Sequence, residues 1–194
     1  MKKILLILLG VVILFGFMFA GSYNGLVTLQ EGVKEKWAQV ENVYQRRLDL
    51  IPNLISTVKG YANHEKETLN SVVEARSKAM QTKLDVGALT DNAKFEAFSK
   101  AQNQLSSVLS RLMVVVERYP DLKANQNFLA LQSQLEGSEN RITVERKRFN
   151  EAVRAFNTKI QRFPTNMLAG MFGFEKVNYF ESVPEAATVP KVEF

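Results

Sequence analysis

The sequence predicts an all-α fold: one N-terminal transmembrane helix leading into an elongated antiparallel bundle of three to four long helices. Residues 4–20 form an uncharged apolar run behind Lys2 and Lys3. After it, apolar positions recur at steps of three and four over most of the chain, which is the period of one helical face. No stretch alternates apolar and polar residues between turn signals, as a sheet would require.

The first element is the apolar run, with Ile4, Leu5, Leu6, Ile7, Leu8, Leu9, Val11, Val12, Ile13, Leu14, Phe15, Phe17, Met18, Phe19 and Ala20 as the expected membrane anchor. Seventeen residues rising about 1.5 Å each cover roughly 26 Å, short of a hydrocarbon core of about 30 Å. The span is therefore expected to continue through Gly21, Ser22 and Tyr23, giving a transmembrane helix over 4–23 behind a basic flank at 1–3. Met18-Phe19-Ala20 puts a bulky residue where a signal-peptide cleavage site needs a small one, and no Cys follows to take a lipid, so the anchor reads as retained. From residue 21 to 33 the only charge is Glu31. The positive side is thus the N-terminal one, which predicts a cytoplasmic N-terminus and a domain outside the inner membrane.

The bundle is expected over 24–164. Its first helix, 24–62, is marked by Val33, Trp37, Val40, Tyr44, Leu48, Ile51, Ile55 and Val58. No strong breaker separates Tyr23 from Val33, so the membrane helix is free to run into it, with Gly21, Gly25 and Gly32 as weak points. Pro52 lies inside the pattern and lacks an N–H, which predicts a kink or local opening near Leu48. The second helix, 63–82, carries Leu69, Val72, Val73, Arg76, Ala79 and Met80, and 83–91 reads as a loop ending in an N-cap at Asp91. The third, 92–118, is marked by Phe95, Phe98, Leu105, Leu109, Leu112 and Val116, and stops at Tyr119-Pro120. The fourth, 121–163, runs through Phe128, Leu131, Leu135, Ile142, Phe149, Val153, Phe156 and Ile160 to Pro164. Residues 165–181 form an apolar, glycine-containing closing segment without the pattern of an amphipathic helix. Residues 182–194, with Pro184 and Pro190, read as an extended or disordered tail.

Composition removes several function classes. The 194 residues include no Cys and one His, which excludes disulfides, thiol nucleophiles, Cys-based zinc sites and any site needing two imidazoles. His64 has no Glu-x-x-His pair around it and reads as a capping or surface residue. No catalytic, cofactor-binding or metal-binding residue is assigned. Arg46, Arg47 and Asp49 beside Pro52 and Asn53 admit two readings: a structural lock, in which Asp49 pairs across helices and Asn53 satisfies the carbonyl freed by Pro52, or a kink that presents backbone groups to a ligand. Residues 141–162 hold seven positive charges against two negative ones, the net charge of the whole chain, +5. Arg146, Lys147, Arg154 and Lys159 are therefore candidates for contact with a partner or anionic lipid, against a plain solvated helix face. Met171, Phe172 and Phe174 are candidates of the same kind, against a role in capping the bundle. No nucleic-acid motif accompanies the basic charge.

Longer strings carry a family resemblance. Tyr23-Asn24, Leu26-Val27, Trp37, Arg47-Leu48-Asp49-Leu50-Ile51-Pro52-Asn53-Leu54, Val58-Lys59-Gly60-Tyr61 and His64-Glu65 open it. Tyr119-Pro120-Asp121-Leu122-Lys123-Ala124-Asn125, Glu139-Asn140-Arg141-Ile142, Phe149-Asn150, Phe156-Asn157, Phe163-Pro164, Phe172-Gly173-Phe174 and Tyr179-Phe180-Glu181 complete it. In these the chain resembles the bacterial LemA family over nearly its whole length, departing at Phe149, where Tyr is expected. The resemblance implies a single membrane helix with a helical bundle and brings no reaction, cofactor or catalytic residue with it. It also implies an envelope component working with membrane-associated partners.

The function expected from these observations is a non-enzymatic, membrane-anchored scaffold or interaction protein of the bacterial cell envelope, a homo-oligomer or a partner of other envelope proteins, with no nucleic acid involved. The competing expectation is an anionic-lipid-binding or membrane-shaping protein that uses residues 141–162 and the apolar loop 167–174.

Overall fold

In the computed structural model, residues 2–62 and 64–181 are described, apart from the side chain of Phe15. The expected tail over 182–194, the Asn63 helix start and Met1 of the basic flank lie outside the described residues.

The described residues are helical apart from short connections and one extended segment. Six α-helices follow in order: α1 (Lys2–Tyr61), α2 (Lys66–Gln81), α3 (Asn92–Val116), α4 (Pro120–Lys123), α5 (Gln126–Gln161) and α6 (Thr165–Met171). The long helices run up, down, up and down. Tyr44 of α1 meets Arg146 of α5, while Tyr61 at the top of α1 meets Asn125 just before α5. The expected antiparallel bundle is therefore the observed architecture.

Helix ends follow local chemistry. Asp91 caps α3 by accepting from the Lys94 amide at 3.1 Å, and Asn125 caps α5 by accepting from the Phe128 amide at 3.1 Å. The second cap corrects the expected single helix over 121–163. Pro120 starts a four-residue turn, and the chain restarts at Asn125. The 83–91 connection contains a 3₁₀ turn at Val86–Ala88, and α2 begins at Lys66, leaving His64 exposed in the preceding turn. The closing segment also departs from expectation, since Thr165–Met171 forms a short helix. That helix ends with Gly173 in the left-handed region at φ 71° and the Phe174 amide donating to the Ala169 carbonyl. Glycine is needed there, because such a φ strains any residue with a Cβ.

Two apolar clusters fill the bundle. The lower one gathers Trp37, Phe95, Phe98, Phe149, Phe156 and Phe180, and the upper one Ile51, Leu54, Val72, Leu105, Leu112 and Phe128. Leu54, rather than the expected Ile55, takes the core position on α1, while Val73 and Met80 of α2 face solvent and Ala75 takes the buried place. A polar layer divides the clusters. Arg47, with only 1% of its surface exposed, donates to Ser106 Oγ at 2.7 Å, Glu139 Oε2 at 2.8 Å and Gln102 Oε1 at 2.7 Å. One arginine thereby ties α1, α3 and α5 together. Arg47 is the lock; Asp49, expected to pair across helices, instead accepts from Gln45 on its own helix.

α1 runs through Pro52 without a break. Proline cannot donate to the Leu48 carbonyl four residues earlier. Arg76 Nε of α2 donates to that carbonyl at 3.0 Å, which corrects the expectation that Asn53 would satisfy it. Asn53 is exposed, and its own carbonyl accepts from Thr57.

Candidate functional site

The base of the bundle combines the apolar end of α1, the end of α5, α6 and the extended segment after Gly173. From Ile4 to Phe19 the large apolar residues of α1 with described side chains are exposed, and Leu26 is the first fully buried one. This is the one helix among the described residues long and apolar enough to cross a membrane. An exposed surface of that composition is unstable in water and matches a hydrocarbon surround. Because α1 is continuous from Lys2 to Tyr61, the expected anchor and the first core helix are one element.

The lower cluster is completed on one side by the chain after α6, which contributes Val177 and Phe180. Asn157 donates to the Val177 carbonyl at 2.8 Å and accepts from the Val177 amide at 3.0 Å; Asn150 makes the same pair with Phe180 at 2.8 and 3.0 Å. Seven helical residues rise about 10.5 Å. Three extended residues span about 10 Å. The two asparagines therefore fall in register with every third strap residue, each satisfying a backbone that has no strand beside it. Asn178 extends the strap to the α2–α3 connection, its amide and side chain both donating to the Leu89 carbonyl. Phe180 enters the lower cluster, with ring centroids 4.9 Å from Phe95 and 5.6 Å from Phe149.

The basic candidates separate on inspection. Arg146 belongs to the structure: its Nε donates to Tyr44 Oη at 2.6 Å, and its guanidinium lies 4.8 Å from the Phe180 ring centroid. Burial pushes the Tyr44 phenol above its ordinary value, with Arg146 and Arg47 pulling the other way. Lys147 and Arg154 are exposed and line a groove of about 430 Å³ beside Tyr179 and Glu181. Lys159 is half-buried near the foot of α5, and Arg148 pairs with Glu145. Among the aromatic candidates, Met171 and Phe172 are exposed, whereas Phe174 packs inward, 6.3 Å from Phe156 and 5.9 Å from Tyr23 between ring centroids.

The carboxylates of Glu65, Glu117 and Asp49 are bonded to separate partners. Glu65 accepts from Arg118 and from the Tyr119 hydroxyl, Glu117 pairs with Lys123, and Asp49 accepts from Gln45.

The LemA family sequence profile matches residues 36–194. The chain belongs to the LemA family. Its relatives include the magnetosome protein MamQ of Magnetospirillum gryphiswaldense, 28% identical over 182 residues, covering 86% of this chain and 67% of that protein. Protein LemA of Metamycoplasma hominis is 25% identical over 169 residues, covering 87% of this chain and 73% of that protein. The LemA match takes in α1 from residue 36 onward, the later helices and the strap, including Arg47, Pro52, Asn150 and Asn157. The sequence points to a lock at Arg46, Arg47 and Asp49 but gives the pairing across helices to Asp49, and it does not single out Asn150 and Asn157 as clamps. Arg47 stands three residues after Tyr44 and four before Ile51, inside the apolar stripe, and that spacing was the available signal.

Proposed function

We propose that this LemA family member is a non-enzymatic, single-pass scaffold of the bacterial cell envelope, held in the cytoplasmic membrane with its N-terminus inside and its bundle outside. It presents the bundle to other envelope proteins or to further copies of itself. The observation that carries the reading is the unbroken α1, which is at once the apolar anchor and the central core helix. The Arg47 layer and the Arg76 bond stiffen that helix from the side, as a presenting stalk requires. Lys2 and Lys3 on the short side supply the sidedness. The test is photo-crosslinking in cells from exposed positions on α3, combined with sizing of the full chain in detergent. Recovery of a second copy or of a defined membrane-associated protein supports the reading. A strictly monomeric protein with no crosslinked partner ends it.

A second reading is anionic-lipid binding. It is favoured by Lys159 near the foot of α5 and Arg162 just beyond it, because α5 hands directly to α6 beside the anchor. Arg141 stands roughly 30 Å further along α5, beyond the reach of a screened surface potential at about 10 Å. Lipid discs holding the full chain should then enrich anionic lipid in a salt-sensitive way that Lys159→Glu with Arg162→Glu abolishes. Equal enrichment in that variant removes this reading.

A further inference from the structure

α6 is held against the end of the apolar span. The Tyr23 ring centroid lies 4.9 Å from that of Phe172, and an apolar groove of about 400 Å³ between α1 and α6 is lined by Phe19, Ala20, Tyr23, Leu168, Met171 and Phe172. One side of α6 is spent on the bundle, with Thr165, Leu168 and Ala169 buried. The other carries Met167 and Met171, four residues apart and therefore on one face, flanked by Phe163 and Phe172. Their exposures are 62, 74, 80 and 54%. Two exposed methionines on a short helix, with an exposed phenylalanine flanking it in the chain at each end, are unfavourable in water and mark a contact surface.

The position along α1 decides what covers that surface. The uncharged run from Ile4 to Ala20 falls short of the hydrocarbon thickness, and the deficit is made up at Tyr23, the level to which α6 is fixed. A plane through the end of the span therefore passes through α6. Tyr23 and Phe172 supply the amphipathic and aromatic groups that favour a headgroup boundary. Gly173 then turns the chain back from this plane to the strap, where Asn157 and Asn150 hold it. We propose that α6, with Phe163 and Phe172, is an interfacial foot lying in the outer headgroup and upper acyl region of the same bilayer that α1 spans. It gives the bundle a second point of attachment and fixes how far α1 is inserted. This proposal rests on the reading that α1 crosses the membrane.

The chain has no Cys, so a single introduced one is labelled uniquely. Full-length Met167→Cys and Met171→Cys, spin-labelled and reconstituted in phosphatidylethanolamine and phosphatidylglycerol vesicles, are compared with Leu9→Cys in the span and Val114→Cys on α3. The foot predicts a several-fold higher ratio of oxygen to water-soluble nickel-chelate accessibility at 167 and 171 than at 114, approaching that at 9. Unchanged Trp37 emission confirms folding. Nickel access at 167 and 171 equal to that at 114, with position 9 still in lipid, overturns the foot and leaves the anchor standing. A water-exposed label at position 9 overturns the membrane reading itself. Exclusion of both reagents with spin–spin broadening at 167 and 171 assigns the face to a second copy and also overturns the foot.

Discussion

Arg76 Nε donates to the Leu48 carbonyl at 3.0 Å, replacing the helical bond that Pro52 cannot make. A proline inside α1 is thereby turned into a tie between α1 and α2: the acceptor it exposes is the one α2 binds. Arg76→Ala should lower stability by about 1–2 kcal/mol, the cost of a part-buried acceptor left without a donor. Combined with Pro52→Ala, which restores the helical N–H, the same change should cost clearly less. A double-mutant cycle by urea unfolding of the detergent-solubilised chain, followed by Trp37 fluorescence, measures that coupling. Additive effects would mean the two residues act independently.

The Arg47 layer should be the most sensitive polar position in the bundle. Arg47→Ala removes a buried side chain and strips Gln102, Ser106 and Glu139 of one donor, which should cost roughly 3 kcal/mol. Glu139→Gln should cost near 1 kcal/mol, because the Glu139 side chain is half exposed and the amide oxygen still accepts. Arg47→Lys should fall nearer to Ala than to wild type, since one ammonium cannot reach Gln102, Ser106 and Glu139 together as the guanidinium fork does. Unfolding midpoints of the three variants check this order.

The strap depends on two side chains. Asn157→Ala should speed hydrogen exchange at the Val177 amide, which then loses its acceptor, while leaving the α3 core amides protected. Asn150→Ala should do the same at Phe180 and also loosen the lower aromatic cluster. Exchange followed by mass spectrometry distinguishes this local release from global unfolding, which would raise exchange throughout.

Tyr44 gives the bundle an alkaline limit. Burial raises its phenol above the ordinary 10.0, so the folded chain keeps this proton when the unfolded chain begins to lose it. The resulting stability is fully present below about pH 10 and is lost as pH rises from there through the folded value. Tyr44→Phe should flatten that alkaline decline while costing about 1 kcal/mol at neutral pH for the missing bond with Arg146. Urea unfolding of both chains at about pH 8 and about pH 11 tests the sign.

The apolar period located the core helices with little error, because burial acts on each helix face locally. Phe95, Phe98, Leu105, Leu109, Leu112 and Val116 are all buried as their spacing predicts. Polar ties were harder to read. The Arg76 to Leu48 bond joins residues 28 apart and depends on how α2 folds back, which no period within one helix encodes. The strap clamps depend on two periods agreeing, one of α5 and one of an extended chain, and Asn150 and Asn157 looked like ordinary polar residues on a long helix. Arg146 read as surface charge because an arginine within a basic run gives no sign that a Tyr and a Phe will pack against it. The foot was visible in composition at Met167, Met171 and Phe172, but its height against the span follows only from the contact between Tyr23 and Phe172.

The central claim is that anchor and bundle are one rod, and a distance across their junction tests it most directly. Spin labels at Ile13→Cys and Glu35→Cys of the full chain, 22 residues apart and both exposed on α1, should be separated by about 33 Å in vesicles if the helix is continuous at about 1.5 Å per residue. Pulsed electron-resonance measurement is expected to give one narrow distribution at that distance. A broad distribution, or a mean well below it, would place a hinge among Gly21, Gly25 and Gly32 and contradict the account.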